Sequence, residues 1–296
     1  MDLKKYLFTN KKAVETALKA MLPKGSVELS ALASAIRYST LSSGKRIRPI
    51  LAIASAEACG GAMKEALPVA CALEFIHAFT LIHDDLPAID NSDKRRGRPS
   101  CHKIFGESTA ILAGDSLALL SFEIILKNSD RRKLSDAKII RVLEELASAS
   151  GFFGVIGGEM MDIAFEKTEP GLTVLKKMYM LKTGSLIRAS VRCGAIIAGA
   201  DEKKMSRLSS YADHLGLAFQ ITDDLLDLEG RSSVTGKPVG QDKGLGKATI
   251  LGAVGLDKAM MMAEVEVEAA IESLKSFGIT ADPLREIARF VIERKM

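Results

Sequence analysis

Four cysteines are scattered along the 296 residues, at Cys59, Cys71, Cys101 and Cys193. No pair has the Cys-x-x-Cys spacing, which excludes a zinc ribbon or a disulfide framework and fits a reducing compartment. The chain also lacks an excess of either charge: 41 basic residues stand against 37 acidic ones. Neither a nucleic-acid-binding stripe nor a polyacidic tail is implied, and no nucleic-acid partner is expected. The opening stretch MDLKKYLFTNKKAVE has no apolar signal-peptide core, and no later apolar run reaches the roughly eighteen residues of a membrane span. A cytoplasmic protein without a membrane span is expected. Alternating β-branched runs and Asn-Gly hairpins are scarce or missing, so strands are not expected. There is no linker-like stretch and no repeat of fixed period.

Helical periodicity fills most of the chain instead. In PVACALEFIHAFTLIHDD the apolar positions Val69, Leu73, Ile76 and Ile82 form a broad stripe with few polar interruptions, the pattern of a helix buried in a bundle. Polar, Gly- and Pro-rich breaks such as MLPKGS, CGGAMKEA, KNSDRRKLSD and EKTEPGL separate roughly ten helical segments. One all-α domain over residues 1–296 is expected. The longest irregular piece carries Gly230, Gly236, Gly240, Gly244 and Gly246 among Lys237, Lys243 and Lys247. It suits either a basic loop that closes over a polyanion or a solvated surface loop.

Two acidic clusters carry the chemical signal. In LIHDDLPAIDNSD, Asp84 and Asp85 end an apolar helix on which His77 lies seven residues before Asp84, and Pro87 takes the chain off the helix so that Asp90 can turn back. In QITDDLLDLEG, Gln220, Asp223, Asp224 and Asp227 share one helix face. An exposed helix end would explain one such cluster, but the apolar surroundings favour carboxylates lining an internal cavity. Clustered carboxylates repel one another unless a cation sits between them, and all-carboxylate sites without His or Cys suit Mg²⁺, which keeps waters and accepts phosphate oxygens. Beside them SSGKRIRP supplies Lys45, Arg46 and Arg48 after Gly44, and DKRRGRP supplies Arg95, Arg96 and Arg98. Guanidinium forks match phosphate oxygens, so a diphosphate ligand is expected.

The set SSGKRIRP, FIHAFTLIHDDLPAID, RRGRP, LKTGSLI and FQITDDLLD resembles the trans-isoprenyl diphosphate synthases, and among them the bacterial farnesyl diphosphate synthases, nearly end to end. The resemblance implies a helical bundle around a deep central cavity, and a head-to-tail condensation of isopentenyl diphosphate with dimethylallyl and geranyl diphosphates. It implies Mg²⁺ as cofactor and a homodimer. Asp84, Asp90 and Asp223 would be metal ligands, supported by Asp85, Asp224 and Asp227. Arg95, Lys182 and Lys237 would contact the allylic diphosphate, and Gly44, Lys45, Arg48, His77 and Arg96 the isopentenyl diphosphate. Thr183 and Gln220 would lie beside the developing cation, and an aromatic at Phe79, with Thr80, would limit product length. Phe79 lies about one helical turn, ~6 Å, deeper than Asp84.

The chain departs from the family pattern in two places. GGEMMD puts Glu159 where Gln is usual, keeping Asp162, and this carboxylate either alters metal affinity or is simply paired. ATIL follows Lys247 in place of a Thr-Tyr-Pro-like run, which bears on packing beneath the loop. His83, His102 and His214 read as packing or surface residues. A geranylgeranyl diphosphate synthase, a terpene cyclase and a non-catalytic subunit of a heteromeric synthase are the competing readings.

Overall fold

The computed structural model describes residues 1–228 and 247–293. Its helices run in the order α1 (Leu3–Met21), α2 (Ser30–Thr40), α3 (Ile47–Ala58), α4 (Met63–Asp84), α5 (Cys101–Phe105), α6 (Glu107–Asn128), α7 (Asp136–Ser150), α8 (Val155–Ala164), α9 (Leu172–Tyr179), α10 (Ser185–Ala198) and α11 (Glu202–Leu228). After the undescribed stretch come α12 (Ile250–Val254), α13 (Leu256–Ser273) and α14 (Asp282–Glu293). A π-helical turn, Met180–Gly184, joins α9 to α10. The all-α expectation holds. The Gly-rich run with Lys237 and Lys243 lies outside the described residues. All four cysteines are free thiols.

One element was not legible: a two-residue hairpin, β1 (Lys94–Arg95) against β2 (Arg98–Pro99). Its turn has Arg96 at φ 54° and Gly97 at φ 75°. Two consecutive left-handed residues are what a type I′ hairpin turn needs, and Arg-Gly serves here in place of the usual Asn-Gly.

The expectation about apolar runs needs correction. By length and composition α4 and α6 are both apolar enough to cross a membrane. For α4 the reason is its central position between α3 and α6, where 78% of its apolar window is buried inside the protein. In α6 only 39% of the window is buried, because Leu112, Leu119 and Leu126 project from its outer face.

Close approaches between helices fix the frame. At the crossing of α3 and α10, a Cβ on Gly194 would collide with the Ala52 carbonyl, and Ser55 Oγ donates to the Val191 carbonyl over 2.6 Å. Gly158 of α8 lies directly against the backbone of Lys182, and Gly216 of α11 would put a Cβ 2.8 Å from Gly184 Cα. The π turn is therefore held between two glycine notches. A smaller core joins Tyr179, Ile221, Leu225, Ile250 and Ala263 across α9, α11, α12 and α13. It accounts for ATIL: Thr249 Oγ1 accepts from Gly252 N at 3.0 Å as the cap of α12, and Ile250 is fully buried. Because overpacking a helix crossing costs ~1–3 kcal/mol, Gly194→Ala should lower the unfolding free energy by that order in a urea titration. Unchanged stability would show that α3 and α10 can move apart freely.

Candidate active site

α4 ends at Asp84, and the Leu86–Pro87 turn folds the chain back on it. Asp90 N donates to the Asp84 carbonyl at 2.9 Å, and Ser92 N to the Asp85 carbonyl at 3.1 Å, with Asn91 in the left-handed region. Asp84 and Asp90 are thereby brought together. Asp85 turns elsewhere, since it is buried and Arg95 Nε of the hairpin donates to its Oδ1 at 2.9 Å. Burial, and then the Glu159 carboxylate, push the Asp84 carboxyl up to about 7 against the opposing pull of Lys182 and Arg95. A half-buried carboxylate in that condition attracts positive charge.

Lys182, on the π turn, faces this cluster. Its Nζ lies 2.5 Å from Asp162 Oδ2 and 2.8 Å from Glu159 Oε2, two residues one turn apart on α8. Burial alone would lower the amine's pKa, but Glu159, Asp162 and Asp84 raise it above the ordinary lysine value. Lys247 Nζ reaches Asp90 Oδ1 at 3.0 Å and Asp162 Oδ2 at 3.4 Å. Its pKa is raised too, Asp162 and Asp90 outweighing burial and the repulsion of Lys182. Among the described residues, no three of His, Cys, Asp and Glu come close enough to hold a metal as they stand. The two ammonium groups take up positive-charge positions among these acids.

On α11 the second cluster divides in the same way. Asp224 is buried, accepting from the Tyr179 hydroxyl and, at 3.1 Å, from Gln220 Nε2. The Tyr179 oxygen accepts in turn from Ile250 N at 2.9 Å, and Thr183 Oγ1 donates to Gln220 Oε1 at 2.7 Å. Thr183, Gln220 and Asp224 thus form one chain of hydrogen bonds, while Asp223 and Asp227 are half-buried. Asp223 is close enough to stabilise the charge on Arg48.

The basic motifs converge on Glu74 of α4. Arg46, in the left-handed region and buried, pairs with Glu74 and donates through Nη2 to the Ser42 carbonyl at 2.7 Å. It is structural. Arg96 Nη1 donates to Ser42 Oγ at 3.1 Å and Nη2 lies 3.8 Å from Glu74. Gly44 makes room for this guanidinium, since a Cβ there would lie 3.0 Å from its carbon. Arg48 Nη1 is 3.5 Å from His77 Nε2, and its buried Nε has no hydrogen-bond partner among the described residues. Burial lowers the pKa of Arg48 and Arg96, with Glu74 acting oppositely. Burial and then the charges of Arg48, Arg96, Arg95 and Arg46 hold His77 well below its usual pKa, so its ring is neutral. Three guanidiniums, those of Arg46, Arg48 and Arg96, gather near the one carboxylate of Glu74 and leave net positive charge there.

Lys45 is exposed, with Nζ 5.8 Å from the Phe290 ring centre, and Lys237 lies outside the described residues. Phe79 is buried and meets His83 edge to face at 5.1 Å. His83 itself fits against Gly114, with Nε2 3.1 Å from the Ile111 carbonyl, so it backs Phe79. Thr80 Oγ1 donates to the His77 carbonyl at 2.9 Å. Sequence reasoning missed the parts played by Glu74 and Tyr179. Glu74, an acid in the middle of an apolar run of α4, carried a signal for a buried partner; Tyr179 carried none.

Comparison with known proteins identifies the family. The Polyprenyl synthetase family model matches residues 30–277. A geranylgeranyl diphosphate synthase of Cyanophora paradoxa is 42% identical over 99% of this chain and 97% of its own. A farnesyl diphosphate synthase of Geobacillus stearothermophilus is 40% identical over 99% and 98%. Among solved structures, an FPP/GFPP synthase from Zymomonas mobilis superposes with a TM-score of 0.88 at 36% identity, covering 98% of this chain and 99% of that one. Similarity along the whole chain makes this protein a member of the polyprenyl synthetase family, a trans-prenyl diphosphate synthase.

Proposed function

We propose that this prenyltransferase makes farnesyl diphosphate by two successive head-to-tail condensations, acting as a single domain over residues 1–296 in the cytoplasm. The observation that carries the product length is Phe79, buried one turn below Asp84 and backed by His83. Relatives named for fifteen-carbon and twenty-carbon products are equally similar, so product length is read from this wall. A geranylgeranyl product is the second reading.

Sparse carboxylates, with Asp84 half-buried and short of positive charge, suit Mg²⁺. Asp84 and Asp90 on one side and Asp223 on the other would hold it. Asp85 and Asp224 serve through hydrogen bonds to Arg95 and to Tyr179 and Gln220, and Asp227 supports from the next turn. When bound, the metal supplies positive charge that neutralises the leaving diphosphate.

The protein's own groups do the rest. Lys182, Lys237 and Arg95 take the allylic diphosphate. Gly44, Lys45, Arg48, His77 and Arg96 take isopentenyl diphosphate, whose site needs cations and no metal because this substrate must not ionise. The allylic C–O bond breaks with its electron pair leaving on the diphosphate, the isopentenyl double bond forms the new C–C bond, and a proton passes to the departing diphosphate. Thr183 and Gln220 line the developing cation with oxygen dipoles.

Incubation with dimethylallyl diphosphate, isopentenyl diphosphate and Mg²⁺ should yield mainly fifteen-carbon product by chromatography, and none with a chelator. Phe79→Ala should shift output to twenty carbons or more. Mainly twenty-carbon product from the unmodified protein, or fifteen-carbon product from active Phe79→Ala, would overturn the length assignment.

A homodimer accounts for the outer face of α6, where Leu112, Leu119 and Leu126 recur at every seventh residue and Leu119 is 72% exposed. Light scattering after gel filtration should give a dimer for the unmodified protein and a monomer for Leu119→Glu. A dimer that survives the substitution would place the interface elsewhere.

A further inference from the structure

Glu159 is the one carboxylate at the first cluster whose oxygens are both buried without a hydrogen bond among the described residues. Its Oε2 is 2.8 Å from Lys182 Nζ, yet off the direction of a hydrogen bond, so the contact is coulombic; the hydrogen bond of Lys182 goes to Asp162. Gly158 fixes the distance, since α8 there rests on the backbone of Lys182 itself. Glu159 also exerts the largest like-charge repulsion on Asp84. A buried charge without directed partners is costly unless it serves something else.

We infer that Glu159 is a positioning residue that latches Lys182 against α8 and thereby weakens the enzyme's hold on the allylic diphosphate. With Asp162 it occupies Lys182 from one side, so a diphosphate must draw the ammonium away from two carboxylates before it can use that charge. Its own negative charge opposes the incoming anion as well. Asp162 is shared between Lys182 and Lys247, so it cannot hold Lys182 alone to the same degree. The latch acts on the allylic side only, because the isopentenyl pocket is built around Glu74 with its own arginines. Affinity for the substrate that ionises is therefore set apart from affinity for the one that does not.

This rests on the assignment of Lys182 to the allylic diphosphate. The test is calorimetric titration, in saturating Mg²⁺, with a thiolo analogue of dimethylallyl diphosphate, whose C–S bond does not ionise. Glu159→Gln should bind it about tenfold tighter, the order of effect one neighbouring charge exerts on an equilibrium. Glu159→Met, which removes the charge and offers no amide, should do the same. In turnover assays the KM for the allylic substrate should fall while that for isopentenyl diphosphate stays put. Unchanged or weaker binding in the variants, or equal shifts for both substrates, overturns the latch while leaving the assignment of the site intact. Failure of the unmodified protein to bind the analogue overturns that assignment, and the latch with it.

Discussion

A charge inside a helical bundle must be matched by an opposite charge within a few ångströms, and the open end of this bundle is organised by that requirement. Glu74 is the clearest case. It sits in an apolar, largely buried helix, and Arg46 and Arg96 are brought to it from two segments far apart in sequence. Once Arg46 has satisfied Glu74, the remaining charge of Arg48 and Arg96 is surplus, and the neutral His77 adds no further repulsion. The proposed isopentenyl diphosphate site draws on that surplus.

The acidic side follows the same rule with the sign reversed. Asp85 and Asp224 are each satisfied by the protein, through Arg95 and through Tyr179 with Gln220. Asp84, Asp90, Glu159 and Asp162 gather around two ammonium groups, Lys182 and Lys247. Acids paired within the protein act as struts, and in the proposed function Asp84 and Asp90 are the ones that recruit further positive charge. In the proposed reaction, segregating the two halves lets one diphosphate be activated as a leaving group while the other is held intact.

Much of this was legible because local rules decide it. The helix period places His77 and Asp84 on one face, Pro87 ends that helix, and Asp90 returns to the Asp84 carbonyl as the turn demands. Pattern similarity supplied the substrates. What could not be read depends on contacts between residues distant in sequence. Nothing in RRGRP says that Arg96 folds over Gly44, or that Arg95 pairs with Asp85. Tyr179 gives no sign of supporting Asp224 until the π turn and α12 are in place. Counting uninterrupted apolar runs also failed for α4 and α6, since a few polar residues do not stop a helix from being apolar overall.

The two diphosphate sites differ, on this account, in their need for metal. Isothermal titration of chelator-treated protein with isopentenyl diphosphate, and separately with the thiolo analogue of dimethylallyl diphosphate, addresses that difference directly. Isopentenyl diphosphate should bind with and without Mg²⁺ at similar affinity, while the allylic analogue should bind only once Mg²⁺ is restored. Loss of isopentenyl diphosphate binding on metal removal, or undiminished binding of the allylic analogue, would contradict the account.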